Sequence, residues 1–120
     1  MAGLDNVAGI YPLTPVQKGM LFHTLAESGS GMYVEQYSCA IQGRLRVPLF
    51  RQAWEAALAR HPALRTAFLW QDLDEPLQAV REDVDLPWST HDWRGPSPDV
   101  QAERWEALRT EDRARGFELM

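Results

Sequence analysis

The stretch Tyr11–Leu25, YPLTPVQKGMLFHTL, contains a strong helix start. Thr14 is a favoured residue just before a helix, Pro15 suits the first helical position, and Gln17 completes a capping box with Thr14. Because the apolar residues that follow cover most sides of the predicted helix, we expect it to be buried between other elements. Those apolar residues are Met20, Leu21, Phe22, Leu25 and Ala26. Ser and Gly at residues 28–31 predict a turn that ends the helix.

A second block, RHPALRTAF, occupies Arg60–Phe68, after the 34 intervening residues 26–59. It follows a second predicted helix over residues 48–60, which His61 and Pro62 end, since the residue before a proline disfavours helix. The apolar residues of that helix fall on one side at helical spacing, and we expect this side to be buried. They are Phe50, Trp54, Ala57 and Leu58.

Alternating polarity predicts several strands, because side chains of a strand point to opposite faces in turn. The pattern predicts a strand over residues 33–42, with Cys39 as a small core residue. A strand over residues 64–70 and a returning strand over residues 77–80 form a predicted hairpin. Residues 85–93 predict one further short strand.

A third helix is predicted over residues 98–115, where Ser97 caps the start and Gly116 ends it. Its few apolar residues predict a narrow buried stripe: Val100, Ala102, Trp105 and Leu108. Residues 1–10 are interpreted as a lead-in or linker. The order of elements predicts an α/β fold with helices packed on a mixed sheet.

The composition is that of an ordinary globular chain and excludes several classes of protein. The 120 residues carry a formal net charge of −5 with both signs interspersed, which argues against nucleic-acid and anionic-membrane partners. A single cysteine excludes an internal disulfide and a cysteine-rich metal site. The N-terminal residues lack the pattern of a signal peptide, and no apolar run has transmembrane length. We therefore expect a cytoplasmic protein.

The two blocks, in this order and spacing, resemble the opening of a condensation domain of a nonribosomal peptide synthetase. In the first block, the family's motif positions are occupied by Thr14, Gln17, Met20, Phe22 and His23. Its GMLFH ending is similar to that of condensation domains that accept a D-configured donor or combine condensation with epimerisation. A buried, capped helix explains the same residues, and both interpretations hold together.

The second block is the more specific match, to the family form Arg-His-x-x-Leu-Arg-Thr-x-Phe. The resemblance implies that Arg60, His61, Arg65 and Thr66 lie near the active site as a structural motif, where the arginines brace its floor. The implied partner is the aspartate of the family's catalytic motif, because a guanidinium holds a carboxylate in a bidentate geometry. A third, weaker match is Phe117-Glu118-Leu119, where the family often has Phe-Asp-Leu.

The resemblance implies that residues 11–120 are a partial condensation domain, the N-terminal part of a chloramphenicol-acetyltransferase-like lobe. In the full family domain, two lobes bring together donor and acceptor thioesters, and the acceptor amine attacks the donor carbonyl to form an amide. The implied partners are carrier domains with phosphopantetheine arms, the rest of the condensation domain and adjacent synthetase modules. No cofactor or metal is expected to bind this chain directly.

The family's catalytic motif, His-His-x-x-x-Asp-Gly, is absent from this sequence, in which His23, His61 and His91 are isolated. We assign no catalytic residue and expect the chain alone to be inactive. Two alternatives stay open: a truncated condensation-like docking module that binds a carrier or tailoring enzyme, and part of an epimerisation domain or related acyltransferase. Unpaired sheet edges and an uncovered apolar face also predict self-association, partner binding or a completing fusion.

Overall fold

The computed structural model describes residues 5–27 and 29–119. The chain divides into two compact units, of which the first comprises residues 5–18, 40–88 and 119 and the second residues 19–39 and 89–118 within the described ranges. The elements in chain order are β1 Val7–Pro12, α1 Pro15–Ala26, α2 Val47–Arg60, a short 3₁₀ helix Pro62–Arg65, β2 Thr66–Leu69, β3 Leu77–Arg81 and α3 Pro98–Arg115.

Helices α1, α2 and α3 begin and end where their flanking residues predict. The backbone N–H of His61, which follows α2, donates to the Ala57 carbonyl, and the proline after it closes off the helix. The Ser97 hydroxyl accepts a hydrogen bond from the Val100 N–H at the start of α3. Gly116 ends α3 with a φ of 60°, a backbone conformation that glycine adopts without the steric cost of a side chain.

Over residues 5–27 and 29–119 the sheet has three antiparallel strands in the order β1-β3-β2, so the prediction of a mixed sheet was wrong. Ala79 of the central strand pairs with Ile10 on one side and Ala67 on the other, and it is buried. The hairpin of β2 and β3 was correctly predicted. Its first strand is shorter than expected because residues 62–65 form the 3₁₀ helix.

Strand β1 lies partly in residues 1–10, where the sequence had predicted only a linker. Its sequence, VAGIYP, contains a glycine and a proline, which are both depleted in strands. An edge strand tolerates such residues because only one of its sides must form hydrogen bonds. The pairing of Pro12 with Leu77 shows the strand at this edge.

Two predicted strands, over residues 33–42 and 85–93, are not strands in the structure. Alternating polarity is necessary for a half-buried strand, but a strand also requires a neighbour to which its backbone can bond. Among the described residues no strand pairs with either segment. Cys39 is correspondingly exposed, which corrects its assignment to the core.

The buried core is smaller than the sequence predicts. Within the described residues, the buried apolar side chains are Leu13, Leu21 and Ala79. Helix α1 is mostly exposed, since Phe22 keeps 68% of its surface accessible. Trp54 on α2 is likewise exposed, and Leu108 alone of the predicted α3 stripe is half-buried. Phe50, Ala57 and Leu58 of α2 are half-buried, so the predicted apolar faces are buried only in part.

None of the helices among the described residues combines the length and the apolar character that crossing a membrane requires.

Candidate functional site

The first sequence block is held at the start of α1 by a reciprocal capping box. The Thr14 N–H donates to Gln17 Oε1 at 2.9 Å, and the Gln17 N–H donates to Thr14 Oγ1 at 3.2 Å. These bonds satisfy backbone donors that a helix start leaves without intrahelical partners. The predicted capping box is therefore confirmed.

Gln17 also reaches the sheet. Its Nε2 donates to Gln78 Oε1 at 3.2 Å, and Gln78 Nε2 donates back to Gln17 Oε1 at 3.1 Å. Gln78 Nε2 donates in addition to the Pro12 carbonyl at 3.0 Å. One glutamine of the motif thus caps the helix and anchors its first turn to the central strand, close to the last residue of β1.

An ion pair adds to this attachment. Lys18 Nζ lies 2.7 Å from Glu75 Oε2, in the turn between β2 and β3. The hydrogen bond and the positive charge of Lys18 lower the pKa of the Glu75 carboxyl. Because both side chains are exposed, this pair contributes little to stability compared with the half-buried amide pair.

The remaining motif residues of the first block, Met20, Phe22 and His23, lie further along α1 and are exposed. Met20 and Phe22 keep 39% and 68% of their surfaces accessible. The rings of Phe22 and His23 meet edge to face, with their centroids 5.5 Å apart. These apolar side chains lie at the surface of α1, where they are available for contact. They do not form a catalytic arrangement with one another.

The second block is dominated by Arg65, which bonds backbone carbonyls on two elements. Its Nε donates to the Leu58 carbonyl at 2.8 Å, and its Nη2 donates to the Ala59 carbonyl at 3.4 Å. Its Nη1 donates to the Arg81 carbonyl and, at 3.1 Å, to the Glu82 carbonyl. A single guanidinium therefore joins the last turn of α2 to the end of β3.

Two of these bonds satisfy carbonyl groups at the end of α2. The last carbonyls of a helix have no intrahelical donor, and a cation near them also interacts favourably with the helix dipole. The Arg65 bonds use four of the five N–H groups that a guanidinium offers. The structure thus places Arg65 as a clamp between backbone segments.

The neighbours of Arg65 in the block have separate local roles. Thr66 Oγ1 donates to the Pro62 carbonyl at 3.0 Å, which holds the 3₁₀ helix against the start of β2. His61 is exposed between α2 and that helix. Arg60 is exposed at the last position of α2.

The two blocks, far apart in sequence, converge on one strand. Gln17 bonds the side chain of Gln78 near the start of β3, and Arg65 bonds the carbonyls of Arg81 and Glu82 at its end. Sequence reasoning did not identify Gln78. The available signal was a single amide residue in an otherwise apolar run, Leu77-Gln-Ala-Val80.

These two anchoring points coincide with the two motif blocks that the sequence singles out. A family model described as a condensation domain matches residues 7–120. The chain belongs to the condensation-domain family. It corresponds to an N-terminal part of such a domain.

Several curated proteins are similar to this condensation-domain chain. Two linear gramicidin synthase proteins of Brevibacillus parabrevis match it: one is 43% identical over 118 residues, which are 98% of this chain and 2% of that protein. The other is 41% identical over 114 residues, 95% of this chain and 2% of that protein. Bacitracin synthase 3 of Bacillus licheniformis is 34% identical over 114 residues, again 95% of this chain and 2% of that protein. The chain therefore spans only 2% of the length of each of these relatives.

The one adjacent histidine and carboxylate in this condensation-domain chain do not form a pair. Asp92 bonds Arg94, through Oδ1 to Nε at 2.9 Å and through Oδ2 to Nη2 at 2.6 Å. The His91 ring instead lies beside Trp93, with centroids 5.7 Å apart. In the part of the chain that the structure describes, no three potential metal ligands are grouped.

Proposed function

We propose that this chain forms the N-terminal helix-and-sheet part of a chloramphenicol-acetyltransferase-like lobe, within a domain that condenses carrier-bound thioesters. The observation that carries the proposal is the convergence of both family motifs on β3, through Gln17 and Arg65. Residues that characterise the family thus serve to assemble its scaffold. The role proposed for this chain is architectural.

The reaction proposed for the complete domain is amide formation between two tethered substrates. An acceptor amine attacks the carbonyl carbon of the donor thioester, the carbon–sulfur bond breaks, and an amide and a free carrier thiol result. The thioesters are substrates carried on the phosphopantetheine arms of partner carrier domains. Holding two tethered reactants together lowers the entropic part of the barrier.

The two arginines of the second block take different roles in this proposal. Arg65 is occupied by backbone carbonyls, so it braces the junction of α2 and β3. Arg60 ends α2 in an exposed position and is the arginine that we expect to meet a carboxylate of the catalytic motif. The resemblance implies that both arginines brace the active site. In this proposal Arg60 does so, and Arg65 instead braces the junction of α2 and β3.

A chimera tests the proposal. In the linear gramicidin synthase protein that is 43% identical to this chain, the matching residues are replaced by this chain, and the chimera receives loaded donor and acceptor carriers. We expect amide product from the chimera and none from the 120-residue chain alone. Donor carriers loaded with D- and L-aminoacyl groups test, in the same assay, the donor preference that the GMLFH segment predicts.

Matched variants of the chimera separate the roles of the arginines. Arg60→Gln should lower amide formation while leaving the thermal unfolding midpoint near that of the parent chimera, whereas Arg65→Gln should lower both. A folded chimera that makes no amide would contradict the condensation proposal. If the folded, inactive chimera still captured loaded carriers, a docking module would be the better description.

A further inference from the structure

The outer edge of β2, the side that does not face β3, bonds a residue much later in the chain. The Phe68 N–H donates to the Leu119 carbonyl at 2.6 Å. In an antiparallel pair, positions that exchange hydrogen bonds alternate with positions that do not. Because the Phe68 N–H is used by Leu119, Phe68 occupies a non-bonded position opposite Gln78. Its N–H and its C=O therefore both point to the outer edge.

The two edges of the sheet differ in how well they exclude a further strand. Strand β1 contains Pro12, which has no N–H, and its pairing with β3 shifts in register between Val7 and Gly9. Proline and such irregularities are features that keep another strand from an edge. Strand β2, Thr66–Leu69, contains neither a proline nor a charged residue, and all its residues are half-buried. Of the two edges, that of β2 is the one suited to a further strand.

The bond from Phe68 has the form of a parallel pairing. In an antiparallel pair, the Leu119 N–H would return a bond to the Phe68 carbonyl, and no such bond forms between these two described residues. In a parallel pair, a residue donates to one residue of its partner strand and accepts from the residue two positions further along. The Phe68 carbonyl is then the acceptor for the second residue after Leu119.

We propose that the outer edge of β2 receives the segment that follows Leu119 in the condensation domain, as an added parallel strand. Parallel strands require a long crossover connection, commonly a helix, and the sequence between β2 and Leu119 contains the 18-residue helix α3. The third sequence block, which ends at Leu119, then begins the strand that joins this chain to the rest of the domain. This inference rests on the scaffold role proposed above.

Hydrogen exchange at single amides tests whether the edge is covered. It is measured in the 120-residue chain and in the chimera, in which residues of the gramicidin synthase relative follow this chain. The Ala79 amide is the internal control, because Ala79 is buried in the central strand and reports overall stability. We expect the ratio of the Phe68 exchange rate to the Ala79 exchange rate to fall about tenfold or more in the chimera.

A matched pair of cysteine variants tests the direction of the added strand. In the chimera, the second residue after Leu119 is replaced by cysteine, together with either Leu69→Cys or Thr66→Cys. Parallel pairing places that residue opposite Leu69, whereas antiparallel pairing places it opposite Thr66. Because a disulfide requires Cβ atoms about 3.5–4.5 Å apart, we expect the Leu69→Cys pair to oxidise about tenfold faster. Mass spectrometry of the linked peptides identifies the bond.

Three results would overturn the proposal. The first is an unchanged ratio of the Phe68 and Ala79 exchange rates in the chimera. The second is faster disulfide formation with Thr66→Cys, which would show an antiparallel partner. The third is protection of Phe68 that rises with the concentration of the 120-residue chain, because a second copy would then cover the edge.

Amide formation is a separate measurement. A chimera that makes no amide but protects the Phe68 N–H supports the added strand and contradicts only the condensation proposal. A chimera that makes amide while Phe68 exchanges as fast, relative to Ala79, as in the 120-residue chain overturns the added strand alone.

Discussion

Gln17 and Gln78 exchange amide hydrogen bonds across 61 residues of sequence, at 3.2 and 3.1 Å. Gln17 Oε1 at the same time accepts the Thr14 N–H. The start of α1 and the central strand of the sheet are therefore coupled through one side chain. The interaction energy of the two glutamines can be measured, since removal of either side chain affects both α1 and β3.

Replacement of Gln17 separates its two roles. Gln17→Glu keeps an acceptor for the Thr14 N–H but loses the amide donor to Gln78, whereas Gln17→Ala loses both. We expect Gln17→Ala to lower the free energy of unfolding by about 1–2 kcal/mol, and Gln17→Glu by less. Urea titration of both variants, each combined with Gln78→Ala, gives the coupling energy. A coupling energy of zero would contradict a direct interaction between the two amides.

The Arg65 clamp predicts that lysine is a poor substitute. A lysine ammonium cannot reach carbonyls on both α2 and β3 with the fixed fork of a guanidinium. We expect Arg65→Lys to lower the free energy of unfolding by about 2 kcal/mol, because hydrogen bonds from a charged group to half-buried carbonyls are lost. Arg60→Lys, at an exposed position, is the control and should change the urea midpoint little. Equal effects of the two variants would argue against a clamp specific to Arg65.

Gly31 and Gly19 should respond in opposite directions to alanine. Gly31 has a φ of 74°, and a Cβ there would lie 3.2 Å from Arg113 Nε. We expect Gly31→Ala to destabilise by about 1 kcal/mol or more, because this backbone conformation is strained for alanine and free for glycine. Gly19 lies inside α1, where a Cβ meets no atom within 4 Å, so Gly19→Ala should stabilise by up to about 1 kcal/mol. Thermal unfolding of the two single variants measures both effects.

The pKa of the Asp92 carboxyl should be measurably low. The side-chain hydrogen bond from Arg94, followed by the bond from the Arg94 backbone N–H, lowers the pKa of Asp92 to about 2. Because this value lies below the ordinary value of 3.8, the exposed pair adds a small stabilisation above pH 3.8, which is lost as the pH falls towards 2. Arg94→Gln should return the Asp92 pKa to its ordinary range, as measured by carboxyl NMR. An unchanged titration midpoint in that variant would show that the pair does not form in solution.

The helix boundaries were predictable because their determinants are local. The capping box joins Thr14 to a residue three positions later, and the Ser97 hydroxyl accepts from the Val100 N–H. A short window of sequence contains all the atoms of such a cap, so residue type alone indicates it. Membership of the condensation-domain family was also predictable, since each of the two motif blocks is a continuous run of residues in the sequence.

The errors concern contacts between distant segments. Strand β1 was missed because its partner, β3, lies about seventy residues later and supplies the hydrogen bonds that its own composition does not favour. The segment 33–42 was predicted as a strand because its side chains alternate, yet no described neighbour completes a ladder with it. Alternating polarity indicates that a segment can form a strand. The strand itself forms only where a neighbouring segment supplies backbone hydrogen bonds.

The sequence by itself determined helices α1, α2 and α3, the hairpin of β2 and β3, and the family to which the chain belongs, because each depends on residues close together in the chain. Only the tertiary structure decided that Gln17 meets Gln78 and that Arg65 bonds the carbonyls of Arg81 and Glu82. Those bonds depend on the position of β3 between its neighbouring strands. Because every residue has a backbone carbonyl, the sequence does not indicate which donor a given carbonyl meets. The physical division is between local bonds, which residue type specifies, and bonds between distant segments, which require the folded geometry.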